Sequence, residues 1–68
     1  MKINKNYFDM KLINKCMTLS DLKRATGLSS QTLSRIRNDM GYEPNTKTIG
    51  KIARALNVDP AELLEEEK

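Results

Sequence analysis

The stretch TLSDLKRATGLSSQTLSRIRN, Thr18 to Asn38, decides the fold of this chain. It reads as two short helices joined by a tight turn. Thr18 is a good N-cap, and Asp21 three residues on completes a capping-box-like pair. Leu19, Leu22 and Ala25 place apolar groups at helical spacing. Gly27 ends the first of the two helices, because glycine takes the left-handed conformation after a helix at little cost. Leu28 plugs the turn. Ser29 caps the second helix by accepting from the amide of Gln31 or Thr32.

That second helix, Ser30 to Asn38, has two unlike faces. At 100° per residue Leu33 and Ile36 point one way. Ser30, Gln31, Ser34, Arg35 and Asn38 gather on the other. The outer face carries hydroxyls, amides and a guanidinium, with no acid and no aromatic ring. Such a row suits base edges and phosphates. An ordinary solvated helix face is the alternative, and the place after a capped helix and a glycine turn favours a DNA-reading helix over it. Arg35 can bond guanine and Gln31 can bond adenine, each through two hydrogen bonds, whereas Ser30 and Ser34 are less selective.

In this order the residues resemble the lambda-repressor-like (Cro and XRE type) helix-turn-helix regulators. The resemblance rests on Thr18 with Leu22, Ala25-Thr26-Gly27-Leu28-Ser29, Leu33-Ser34-Arg35-Ile36, Pro44-Asn45, Ile49, Ile52-Ala53-Arg54-Ala55-Leu56 and Val58. It runs from about Phe8 to Leu64. It implies a compact all-α domain of five helices with the helix-turn-helix in helices two and three. It implies base reading by Ser30, Gln31, Ser34 and Arg35, and backbone contact by Ser20, Ser29, Thr32, Asn38 and Lys47. The implied function is a sequence-specific double-stranded DNA-binding transcriptional regulator, of the phage or mobile-element repressor type. A protein-binding adaptor or antitoxin-like module on the same fold is the alternative, since fold alone does not assign function.

Outside the motif, composition narrows the classes. Sixty-eight residues make one domain, residues 1–68. A chain this short buries only about 60% of its unfolded surface, so modest stability is expected unless it oligomerises. With two tyrosines and one phenylalanine there is no platform for stacking single-stranded bases. No apolar run approaches a membrane span, and no leader pattern opens the chain. The expected location is cytoplasmic. One cysteine and no histidine leave no internal disulfide and argue against zinc. Cys16 reads as a small core or boundary residue. With no base, nucleophile constellation or glycine-rich phosphate loop, neither catalysis nor a cofactor is expected.

The charge is uneven. Up to residue 58 there are eleven Lys or Arg against four acids, and beyond it one Lys against five acids, which together give the net +3. A basic body with an acidic tail at 65–68 fits a polyanion-binding domain whose last helix points away from the polyanion, and equally one whose Glu65, Glu66 and Glu67 simply keep the tail soluble.

Residues 1–5 read as a flexible basic arm, followed by a helix from about Asn6 to Lys15. Phe8 and Leu12 are its core pair, four residues apart. Lys11 stands where the resembled family often has an apolar residue. Lys23 replaces a small residue of that family; its stem can lie on apolar neighbours while its charge reaches a phosphate. The loop from Asn38 to Asn45 is often basic in the family and grips the phosphate backbone; here Asp39 and Glu43 weaken that role, and Arg37, in place of a frequent Glu, restores one positive charge. Tyr42 either covers the core or donates its hydroxyl to a phosphate.

Asn45 caps a helix from Thr46 to Leu56, with Ile49, Ile52, Ala53 and Leu56 on one stripe. Lys47 sits in its first turn, where free amides can hold a phosphate. Gly50 either permits close packing or is a tolerated surface glycine. Asn57 ends this helix and Val58 tucks back on the core. Asp59-Pro60-Ala61-Glu62 opens a last helix. One of Leu63 and Leu64 closes the core and the other is free to seed a homodimer, expected at least on DNA.

Overall fold

The computed structural model describes residues 2–39 and 41–65. These form five helices, α1 Lys5–Asn14, α2 Leu19–Thr26, α3 Ser30–Asn38, α4 Thr46–Leu56 and α5 Pro60–Leu63, and no strand. Each helix starts where a short polar side chain can hold a free amide. Asn4, Ser29, Asn45 and Asp59 accept from Tyr7, Thr32, Thr48 and Ala61 at 3.1, 3.1, 2.9 and 2.9 Å. At α2 the box closes in both directions. Thr18 Oγ1 accepts from the Asp21 amide at 3.2 Å, and Asp21 Oδ2 accepts from the Thr18 amide at 2.9 Å. Gly27 is left-handed, φ +76°, and Thr26 braces the same turn by donating to the Leu22 carbonyl and accepting from the Leu28 amide.

The core is one cluster of Ile3, Phe8, Leu12, Leu22, Leu33, Ile36, Ile49, Ile52, Ala53, Leu56 and Leu63. The inward stripes of α3 and α4 are those their periodicity predicts. Ala25 departs from expectation: it is exposed, leaving Leu22 as the buried residue of α2 and Leu19 half-buried beside it. Gly50 is exposed with nothing within 4 Å of a built Cβ, so no close packing requires it.

The N-terminal stretch is a correction. Lys2 to Lys5 are not a free arm. Ile3 is 5% exposed and pairs as an isolated bridge with Leu64. The Asn4 amide donates to the Leu63 carbonyl and the Glu65 amide to the Lys2 carbonyl, both at 2.8 Å. The reason is that Ile3 has apolar surface to bury, and pairing satisfies backbone groups that burial would otherwise orphan. Asn4 then caps α1, which starts and ends one residue earlier than expected. Met1 and the end of the acidic tail, 66–68, lie outside the described residues.

Cys16 is a second correction. It is exposed and left-handed, φ 54°, at the position just past the cap of α1, where its amide donates to the Ile13 carbonyl at 3.0 Å. Facing outward, it takes no part in the core. Lys11 is half-buried with its ammonium 5.6 Å from the centroid of the Tyr7 ring, one turn back. Its stem is thus accommodated without disturbing Phe8 and Leu12.

Leu63 and Leu64 are both taken. Leu63 is fully buried, and Leu64 is half-buried against the core while its backbone faces Ile3. Neither projects to seed a dimer. The large exposed apolar side chains among the described residues are Met10, 56% exposed, and Ile13, 66% exposed, both on α1.

Candidate nucleic-acid interface

The candidate interface is built on α3. Leu33 and Ile36 anchor this helix from below, 1% and 3% exposed. Its other side therefore faces outward as a fixed row, and Ser30, Gln31, Ser34 and Arg35 are all exposed. Ser20 belongs to the same surface, since Leu19, Ser20, Ser30, Leu33 and Ser34 line one hollow of about 270 Å³. The two helices of the motif thus present their hydroxyls together.

Several residues of α3 and its cap have partners. Ser29 and Thr32 are hydroxyl to hydroxyl at 2.9 Å in the cap, and Thr32 is half-buried. Asn38 Nδ2 donates to Ser34 Oγ at 3.2 Å, one turn back. The Arg35 guanidinium carbon lies 5.0 Å from the centroid of the Tyr42 ring, and Arg35 Nη2 is 3.9 Å from Asp39 Oδ2. Tyr42 is half-buried against the core, so of the two roles open from sequence the covering one is seen, with a cation on top.

The three cations assigned to the backbone from sequence, Arg37, Lys23 and Lys47, lie elsewhere than in this row. Arg37 turns toward α1, with Nε 3.7 Å from Asp9 Oδ1. That oxygen is buried without a hydrogen-bond partner, so the guanidinium is the charge that faces it. Lys23 is exposed on α2. Lys47 lines a separate cleft of about 480 Å³ between α2 and α4, with Ala25, Thr26, Gly50, Lys51, Arg54 and Ala55. Neither Lys51 nor Arg54 is assigned a DNA contact from sequence, although positions 47, 51 and 54 are spaced to share one face of a helix. Lys47, Lys51 and Arg54 make no ion pair among the described residues. The cleft is a basic surface beside, rather than within, the α3 row.

Two groups carry displaced pKa values. Asp21 is held below its ordinary 3.8, chiefly by the bond from the Thr18 amide and then by Arg24, whose Nη2 is 2.8 Å away. Tyr7 is raised above its ordinary 10.0, first by desolvation and then by the bond its hydroxyl donates to Glu62 at 2.9 Å. Both are scaffold features, one at the start of α2 and one between α1 and α5. No group of three or more acidic, cysteine or histidine residues capable of holding a metal occurs among the described residues, and none of their helices is long and apolar enough to cross a membrane.

Comparison with curated proteins and with solved structures returned no match. A family model described as a Cro/C1-type HTH DNA-binding domain matches residues 8–68, which runs from within α1 through α5 and includes all of α3. With the caps, the glycine turn and the anchored outward row of α3 in place over that span, this chain belongs to the Cro/C1-type helix-turn-helix DNA-binding domain family.

Proposed function

We propose that this domain is a sequence-specific regulator of transcription, a repressor of the phage or mobile-element type, working in the cytoplasm. Its α3 lies in the major groove of double-stranded DNA. Gln31 and Arg35 read base edges through paired hydrogen bonds, and Ser30 and Ser34 add less selective ones. Ser20, Lys23, Ser29, Thr32, Arg37, Asn38 and Lys47 hold the phosphate backbone and set the register. One observation carries the reading: a row of hydrogen-bonding side chains with no acid among them stands exposed on a helix whose opposite face is locked in the core.

One such helix reads only a few base pairs. Two copies of the domain therefore bind together, placing two α3 helices roughly 34–36 Å apart on a two-fold site. Selection of bound duplexes from a random pool tests this. An inverted repeat with half-sites one helical turn apart supports it. Full affinity for a single half-site contradicts the pairing, and the absence of any enriched sequence contradicts the reading itself. The adaptor or antitoxin-like alternative draws on the exposed Met10 and Ile13 of α1, a patch a protein partner could cover. It gains if the folded protein ignores duplex DNA at low salt.

A further inference from the structure

We infer that Tyr42, with Asp39, is a positioning residue for the base-reading Arg35, and so a determinant of specificity that need not touch DNA. The inference rests on the reading of Arg35 proposed above. A long, exposed arginine ordinarily samples many rotamers and must be ordered when it meets a base. Here the loop after α3 removes much of that freedom. The Asp39 amide donates to the Arg35 carbonyl at 2.8 Å, continuing the helical pattern by one residue. Asp39 Oδ1 then accepts from the Gly41 amide at 3.0 Å, and the Asp39 carbonyl accepts from the Tyr42 amide at 3.1 Å. This turn brings the Tyr42 ring back against the core, with the Arg35 guanidinium carbon 5.0 Å from its centroid.

The other oxygen of Asp39, Oδ2, stands 3.9 Å from Arg35 Nη2. That is too long for a hydrogen bond but close enough to bias the cation. The guanidinium thus sits over a ring and beside a carboxylate, both supplied by the same loop. A stacked guanidinium keeps in-plane N–H groups for two parallel bonds to guanine O6 and N7. The ring supplies the stack through its π face, so the phenolic hydroxyl is not required.

The test uses the full chain with Tyr42→Leu, Tyr42→Phe and Arg35→Ala, each measured on the selected site and on duplexes changed at the base pair Arg35 reads. Before DNA is added, the Arg35 side-chain protons should show an upfield ring-current shift in nuclear magnetic resonance spectra. The shift should persist in Tyr42→Phe and vanish in Tyr42→Leu. On DNA, Arg35→Ala should lose about five- to 150-fold of discrimination at that base pair. Tyr42→Leu should lose about two- to fivefold at the same pair, the worth of an exposed cation–π contact, with affinity for random duplex unchanged. Tyr42→Phe should match the parent.

Loss in Arg35→Ala with full discrimination in Tyr42→Leu overturns the positioning role and leaves the reading role standing. No loss in Arg35→Ala overturns both. A uniform drop on all sequences in Tyr42→Phe makes the tyrosine a phosphate donor instead, and absence of the ring-current shift in the parent removes the stack.

Discussion

Cys16 shows how a single residue can work against its own helix. It holds a left-handed backbone, φ 54°, where α1 must turn to deliver Met17 toward the core. Asn57 does the same at the end of α4 with φ 57°, but asparagine tolerates that region better. Gly27 does it at no steric cost. Cys16→Gly should therefore stabilise the fold by up to about 1 kcal/mol, relief of the left-handed penalty being partly offset by the greater freedom of unfolded glycine. An unchanged or lower midpoint in urea would show that the cysteine is not strained. The position is not legible in the sequence for a physical reason: small apolar character predicts burial, and only the exact end of α1 decides which way the residue faces.

At the scale of elements, the legible parts are those whose causes are local. Thr18 with Asp21, Ser29 with Thr32, and Asn45 with Thr48 all bond across three residues, and each appears where the sequence predicts a helix start. The inward stripes of α3 and α4 are local in the same sense, because period alone assigns their faces. The Arg35 contact with Tyr42 is not of this kind. It depends on how Asp39 folds the following loop, which helical spacing does not describe.

The capping box of α2 gives a pH signature. The folded state lowers the Asp21 pKa, so it binds that proton more weakly than the unfolded chain does. The resulting contribution is present above the ordinary value of 3.8 and is lost as pH falls through the lower folded value. Tyr7 has the opposite sign: its contribution is present below 10.0 and is lost as pH rises past its raised value. Chemical denaturation across pH should show an acid limb that Asp21→Asn flattens. An acid limb identical in parent and variant would mean that other carboxylates produce it.

For the whole molecule, the part sequence did not reveal is the joining of its ends. Ile3 and Leu64 are 61 positions apart, and no local pattern links them. Their pairing closes the core beside the end of α3, where Asn4 and Glu65 line one hollow with Arg37 and Asn38, and it occupies both Leu63 and Leu64. Ile3→Ala should destabilise by roughly 2–3 kcal/mol, the lower part of the range for buried isoleucine, since a terminal site relaxes more easily. A denaturation midpoint equal to the parent's would return residues 2–5 to the status of an arm.

The same global packing separates the α3 row from the basic cleft of Lys47, Lys51 and Arg54. Periodicity shows which residues share a face of one helix, but only the crossing of α2 and α4 shows that Lys47 lines a cleft with Ala25 and Thr26 rather than the hollow of Ser20, Ser30 and Ser34. Reading and gripping should accordingly respond to different changes. The most direct measurement compares Arg35→Ala and Lys47→Ala on the selected duplex, on its single-base variants and on random duplex, over a salt series. Arg35→Ala should lose about 1–3 kcal/mol of discrimination at one base pair of each half-site. Lys47→Ala should weaken all duplexes alike and lower the salt slope by about one. If Arg35→Ala instead weakens every duplex equally and leaves the sequence preference intact, α3 does not read bases through this face and the account is wrong.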